Sequence, residues 1–370
     1  MDGARMTRSM RILFLNQYFP PDPAPTGILF REVAEALEAE GHTVDFVAAR
    51  QDYRPGQQKG GRMAREFVAL GRMLIDGLRR PRADVVISGS SPPCLLVVAT
   101  LIALWHRAKS IHWVMDLYPE IAVALREMSD GPLARFLGAL MGWCYRRAAC
   151  IIVLDEDMAD RVRRHGVEPE IIRPWVFASM LPRLAEASEK PDADWMWMYS
   201  GNLGRAHEWE TLLQTQALLE KRGIGIRLRF QGAGPSWPTA RARAAELGLR
   251  RCEWTGYAAE TDLPSALLRS SVLVVTQLPE TQGLLWPSKL GLALSLPRAI
   301  LWIGPPDGAI AKMLRPFSHA GIFIPGQARE IADWLEARQN REAEVTAALI
   351  PGSHREESLL RWRNLVRRLL

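Results

Sequence analysis

Residues 195–204, WMWMYSGNLG, read as a strand that runs into a glycine-containing turn, and HEWETLLQTQALLEKRG (207–223) reads as the helix that follows. This stretch is a new beginning. The segment before it, VFASMLPRLAEASEKPDAD (176–194), holds no strand pattern and carries proline, serine and charge, so it is the expected hinge. Upstream of the hinge the same grammar has already run once. RILFLN (11–16) is apolar without alternation, as a strand covered on both faces must be. A proline-rich loop, QYFPPDPAPTG, leads to the helical ILFREVAEALEAEG and then to the strand TVDFVAA (43–49). Strand, helix, strand implies a parallel sheet. ADVVISGS (83–90), SIHWVMD (110–116) and ACIIVLD (149–155) continue it. Downstream, IRLRFQGAG (226–234), CEWTGY (252–257), SVLVVTQL (271–278) and AILWIG (299–304) build a second set.

The expected fold class is therefore α/β, with two Rossmann-like, doubly wound domains facing each other across a cleft. Ligands in such sheets sit beyond the carboxyl ends of the strands. The expected boundaries are a disordered leader at 1–10, a first domain at 11–180 and a second at 181–352. A basic amphipathic helix, SHREESLLRWRNLVRRLL (353–370), is expected to pack back on the first domain.

Composition narrows the function classes. A chain of 370 residues that is 48% hydrophobic and 24% charged has material for two cores and is not intrinsically disordered. Its four cysteines form no C-x-x-C pair and no zinc spacing, which suits reduced thiols in the cytoplasm. The seven histidines form no H-E-x-x-H set, so no structural metal is expected. MDGARMTRSM carries no signal-peptide pattern. PPCLLVVATLIALW (92–105) is shorter than the ~20 apolar residues that span a bilayer, and reads as a buried helix.

Several features converge on an anion. Gly201 and Gly204 lie between a strand and a helix, where small residues let backbone N–H groups approach a phosphate; Arg205 follows at once. Alone, this is equally a tight turn with an exposed arginine. Lys289, behind Pro287 and Ser288, opens the apolar helix of QGLLWPSKLGLALSL (282–296), where the helix dipole already supplies positive charge. Two cations at helix entrances in one repeat make a diphosphate site. FQGAGP (230–235), with Gly232 and Gly234, resembles a nucleotide-binding turn or a plain tight one, and the loop around Tyr257 could face a base. His112 and His207 fall near the expected cleft and read as packing or hydrogen-bonding residues rather than general bases.

YSGNLGRAHEWETLL, FQGAGP, WTGYAAETDLPSALLRSSVLVV, PSKLGLALSLPRAIL and GPPDGAIAKML follow the order and spacing of family 4 glycosyltransferases. NQYFPPDPAPTGILFREVAEALEAEGHTVDFVAA and DVVISGSSPPCLLVVATLIALWHRAKSIHWVMDLYPE look like its colanic-acid and O-antigen branch. The resemblance covers almost the whole chain from about residue 11. It implies the GT-B fold and sugar transfer from a nucleotide donor, most plausibly uridine-linked, with retention of configuration. No metal and no cofactor beyond the donor itself is implied. Arg205 and Lys289 would hold the donor diphosphate, with Gly201, Asn202 and Gly204 shaping the turn beside it. Thr26 and Gly27 would meet the donor from the first, acceptor-side domain. Asp116 would sit near acceptor or donor sugar, or cap a helix. One position departs from the family: Leu292 stands where a ribose-binding glutamate is usual, and Glu280 lies outside the spacing of the other glutamate.

Between Arg54 and Arg82 eight Lys and Arg face two acids, Glu66 and Asp76, with Met63, Phe67, Leu70, Leu74 and Leu78 interleaved at helical spacing. Such a stripe fits an anionic membrane surface, or is the solvated rim of a helix packed on its sheet. A cytoplasmic enzyme peripheral on the inner membrane face, acting on a glycan or lipid-linked glycan, would use it. Nucleic acid is not an expected partner, because no recognition motif or stacking platform accompanies the charge. Rival readings are a nucleotide-sugar epimerase, a catalytically silent GT-B binding subunit and a polyanion scaffold.

Overall fold

The computed structural model describes residues 9–22, 24–49, 62–187, 195–339 and 351–369. Two compact units emerge: Met1–Phe177 with Gly283–Trp286 and Ser353–Leu370, and Ala178–Gln282 with Pro287–Gly352.

The first unit runs β1 (Arg11–Asn16), α1 (Pro25–Glu38), β2 (Thr43–Ala48), α2 (Arg62–Arg79), β3 (Val85–Ser88), α3 (Leu95–His106), β4 (Lys109–Trp113), α4 (Glu120–Ala124), α5 (Pro132–Tyr145), β5 (Cys150–Val153), α6 (Glu156–Arg163) and β6 (Glu170–Ile171). Its six strands are parallel, in the order β2-β1-β3-β4-β5-β6. The unalternating RILFLN is explained by two cores. Ile12 and Phe14 enter one with Phe30 and Trp113, while Leu13 and Leu15 enter the other with Met73, Val86 and Ile102.

The second unit starts with a 3-10 turn (Ala178–Met180) and α7 (Leu181–Glu186). It continues with β7 (Met196–Asn202), α8 (Glu210–Lys221), β8 (Arg227–Ala233), α9 (Trp237–Glu246), β9 (Cys252–Thr255), α10 (Leu263–Leu268), β10 (Val272–Thr276), α11 (Lys289–Leu294), β11 (Ala299–Ile303), α12 (Ala309–Leu314), β12 (Ala320–Phe323) and α13 (Ala328–Gln339). Again six parallel strands form one sheet, ordered β12-β11-β10-β7-β8-β9. The chain steps from β7 outward to β9 and then returns to the other side of β7 as β10. Strand order therefore reverses between β7 and β10, where an open α/β sheet leaves its ligand crevice.

α14 (Pro351–Arg367) buries Leu359, Trp362, Leu365 and Val366 in a core of the first unit, with the Trp362 ring edge-on to Trp113 at 4.9 Å. The buried Glu32 carboxylate accepts from Arg355 of α14 at 2.7 Å and from the Trp175 indole at 2.8 Å, so its charge is both paired and hydrogen-bonded. Gly283–Trp286 joins the same unit through a hydrogen bond from the Leu117 N–H to the Leu284 carbonyl at 2.8 Å.

Two sequence expectations need amending. Met10, read as the end of a disordered leader, is buried against the first sheet, while residues 1–8 lie outside the described residues. The helix within 92–105 is buried along one side only; Leu101, Leu104 and Trp105 are exposed. Residues 54–61 of the basic stripe and 188–194 of the expected hinge lie outside the described residues.

Candidate active site

In the second unit the site grows from the carboxyl ends of β7 and β10. Tyr199 on β7 is buried, and its hydroxyl donates to the Asn202 carbonyl at 2.9 Å. The Lys289 ammonium, from the first residue of α11, donates to that hydroxyl and lies 3.7 Å from the centre of the Tyr199 ring. Gly201 makes this possible: a β-carbon there would lie 3.3 Å from Lys289 Cε. Its φ of +128° also suits glycine alone. Among the described residues no carboxylate pairs with Lys289, and desolvation by the surrounding protein pulls its ammonium well below the ordinary lysine range. The cluster holds a cation whose neighbours are a neutral phenol and a backbone turn.

Two further groups close the floor. His207 Nδ1 is 2.9 Å from the Thr276 carbonyl at the end of β10, which fixes the proton on that nitrogen. Burial, and then the Lys289 charge, push the imidazole down to about 3, so it is neutral at physiological pH. That fits a hydrogen-bonding residue. The Thr276 hydroxyl is buried and makes no hydrogen bond, a polar atom that a ligand could satisfy. Tyr199 and Thr276 escaped the sequence reading. Their signal was position alone, at the strand ends flanking the order reversal.

Gly232 lies against this cluster for a steric reason. Its φ is +132°, and a β-carbon there would meet the Gly201 carbonyl oxygen at 2.2 Å. The exposed Tyr257 ring stands beside it, 3.2 Å from the same hypothetical carbon. Gly204 accepts from the His207 N–H at 3.2 Å and closes the turn; Asn202, Arg205 and Ser288 are exposed. Leu292 occupies α11 one turn beyond Lys289, and Glu280 sits exposed in a 3-10 turn (Pro279–Thr281).

The remaining residues belong to the first unit. Thr26 and Gly27 lie in the first turn of α1; a β-carbon on Gly27 would approach the Tyr18 carbonyl oxygen to 2.8 Å. Asp116 follows β4 and forms an isolated antiparallel bridge with Leu285. Its N–H, at 2.9 Å, and that of Met115, at 3.2 Å, both donate to the Ser90 hydroxyl. Desolvation raises its carboxyl to about 6. The helix-cap reading of Asp116 does not hold, because α4 begins at Glu120 with Pro119 at the cap position. His112 is a core residue, with Nδ1 2.9 Å from the Ser88 hydroxyl and burial lowering it to about 3. Among the described residues no three His, Cys, Asp or Glu are grouped to hold a metal ion, and no helix is long and apolar enough to cross a membrane.

Residues 27–175 match the Glycosyl transferase 4-like domain. The probable glycosyltransferase WbjE of Pseudomonas aeruginosa is 24% identical, over 82% of this chain and 83% of that protein. Among solved structures, sucrose-phosphate synthase of Thermosynechococcus elongatus superposes with a TM-score of 0.71 at 15% identity, covering 98% of this chain and 99% of that one. The lipopolysaccharide outer core galactosyltransferase WaaB gives 0.66 at 14% identity, over 98% and 100%. HepE of Anabaena, solved with UDP and glucose, gives 0.65 at 12%, over 97% and 98%. These likenesses establish the GT-B fold. The family model covers residues 27–175 of the first unit, and the similarity to a probable glycosyltransferase runs over most of the chain.

Proposed function

We propose that this chain is a glycosyltransferase that moves a sugar from a UDP-linked donor, with retention of configuration, to a glycan or lipid-linked glycan during surface polysaccharide assembly. The observation that carries the reading is the Lys289 ammonium, desolvated beside the Gly201 turn with no acid among the described residues to neutralise it. A departing nucleoside diphosphate is the charge such a cation complements. A preorganised donor in a site of low polarisability stabilises that leaving group without reorganising as the bond breaks.

In this scheme Arg205 joins Lys289 on the diphosphate, Gly201, Asn202, Gly204 and Ser288 present the turn, and Gly232 and Tyr257 flank the base. Thr26, Gly27 and Asp116 serve the sugar and acceptor. The leaving-group charge is met by side chains, so the scheme needs no metal. HepE was solved with UDP and glucose, and WaaB is a lipopolysaccharide outer core galactosyltransferase; both support the donor and acceptor classes chosen here. Work at the inner face of a membrane, with the basic stripe toward it, follows from a lipid-linked acceptor.

The test is thermal stabilisation by uridine, guanosine and adenosine diphosphates, followed by product analysis of the sugar anomer. A ligand at 100 times its Kd stabilises the native state by about 2.7 kcal/mol. Selective stabilisation by UDP that Lys289→Ala abolishes is the expected result; indifference to all three nucleotides would sink the reading. Leu292 favours one alternative, a GT-B subunit that binds without turnover. That alternative predicts the same melting shift but no product.

A further inference from the structure

α3, LLVVATLIALWH, carries no Asp, Glu, Lys or Arg and is apolar but for Thr100 and His106, the composition of a helix covered all round. Only its inner side is covered. Ile102 reaches α2, where a β-carbon on Gly77 would lie 2.3 Å from its Cδ1, and α3 also packs against α5. The outer stripe, Leu101, Leu104 and Trp105, is bare, with Trp105 65% exposed. Both flanking helices do the same. α2 exposes Phe67, Val68 and Ile75, and α5 exposes Leu133 and Phe136. Of eleven exposed large hydrophobic residues among the described ones, eight lie on these three adjacent helices, so the exposure is one patch and not scatter.

The patch is set in positive charge. Arg72, Arg79 and Arg135 are exposed on the three helices, which carry two acids, Glu66 and Asp76; beside the helices Arg82, Arg107 and Lys109 are exposed with Asp84 and Asp130. A second copy of the chain would bring the same cations against these, whereas stable homodimer cores are depleted of charge. Aromatic and aliphatic side chains ringed by arginine match the boundary between lipid headgroups and acyl chains.

We propose that the α2–α3–α5 face of the first unit seats in an anionic phospholipid bilayer, with Phe67, Leu104, Trp105 and Phe136 inserted and the arginines on the headgroups. The inference deepens the lipid-linked acceptor reading and rests on it for its purpose. It differs from docking by a basic stripe in a measurable way. Adsorption by charge alone is lost in high salt, whereas insertion persists.

The experiment is co-sedimentation of the full chain with phosphatidylglycerol-containing and with pure phosphatidylcholine vesicles, at low and high salt. Wild type is expected to pellet with the anionic vesicles and to remain partly bound in high salt. L104E/W105E on α3, and separately F136E on α5, should cut that salt-resistant binding about tenfold or more. R72E/R79E should cut binding at low salt. Melting curves on the same samples, with and without UDP, verify folding and report the nucleotide site independently. Failure of vesicle binding with an intact nucleotide shift overturns this inference alone. Binding that vanishes entirely in high salt also overturns it, as does light scattering that finds a wild-type dimer dissolved by the glutamate variants.

Discussion

The Lys289 ammonium lies 3.7 Å from the centre of the Tyr199 ring and donates to its hydroxyl, so the nearest partner of this cation is itself uncharged. Burial holds the Tyr199 phenol well above its usual range, which keeps it neutral. A desolvated cation with no counter-charge among the described residues costs stability in the free protein. Lys289→Met should therefore melt at the same temperature as wild type or higher. It should also bind UDP more weakly by about 1.5–3 kcal/mol, roughly 10- to 150-fold in Kd. Titration calorimetry on both proteins checks the two halves. A variant that melts lower yet binds normally would place the lysine in the fold and not in the site.

Proton linkage offers an independent reading of the same residue. Its lowered pKa means that the free protein gives up the ammonium proton at a lower pH than an ordinary lysine does. A bound diphosphate would raise that pKa, so binding should take up protons and weaken as pH rises. Near pH 8 the terminal phosphate, with a pKa of about 6, no longer titrates. Binding heats there should differ between buffers of different ionisation enthalpy in wild type, and not in Lys289→Met.

Asp116 gives the opposite sign. Its carboxyl titrates at about 6 in the fold against 3.8 ordinarily, so the folded state prefers it protonated. The contribution is fully present below about pH 4 and is lost as pH rises to about 6. Asp116→Asn removes the ionisation. It should stabilise the protein at pH 8 by about 1–3 kcal/mol, leave it unchanged near pH 4, and lower sugar transfer. Denaturant melts at the two pH values measure the first part.

Two glycines with similar dihedrals should behave differently. Gly232→Ala sets a β-carbon 2.2 Å from a backbone carbonyl that cannot move without shifting β7. A loss of about 2–4 kcal/mol is expected. Gly201→Ala carries the same backbone strain but meets only the flexible end of Lys289, at 3.3 Å, so it should cost less stability than Gly232→Ala and damage nucleotide binding more. Comparing melting temperature with UDP affinity across the pair separates scaffold from site.

Leu292→Glu tests the departure from the family pattern. Adding a ribose acceptor on α11 should tighten UDP binding by about three- to tenfold. An unchanged Kd would mean that the ribose of the donor is held by other groups.

How much of this could be read from residues alone varied with the range of the interaction. RILFLN declared a strand covered on both faces, because local composition reports burial directly, and the two cores confirm it. LLVVATLIALWH declared a helix but not which side would be covered, since periodicity is silent when almost every position is apolar. Lys289 was legible as a cation out of place. Tyr199, which holds it, was not, because a strand tyrosine looks like core until the partner 90 residues away is known. Gly283–Trp286 was read with the second domain and contributes to the first unit, a pairing that no local signal encodes.

That last feature, together with Trp362, bears on biosynthesis. The first unit is assembled from three stretches of chain, and the ring that packs edge-on to Trp113 is made only after the whole second unit. At ordinary translation speeds about 10–40 s separate Phe177 from Trp362. Through that interval the nascent protein carries an unfinished hydrophobic core on the ribosome, where a holding chaperone would have its natural point of attachment.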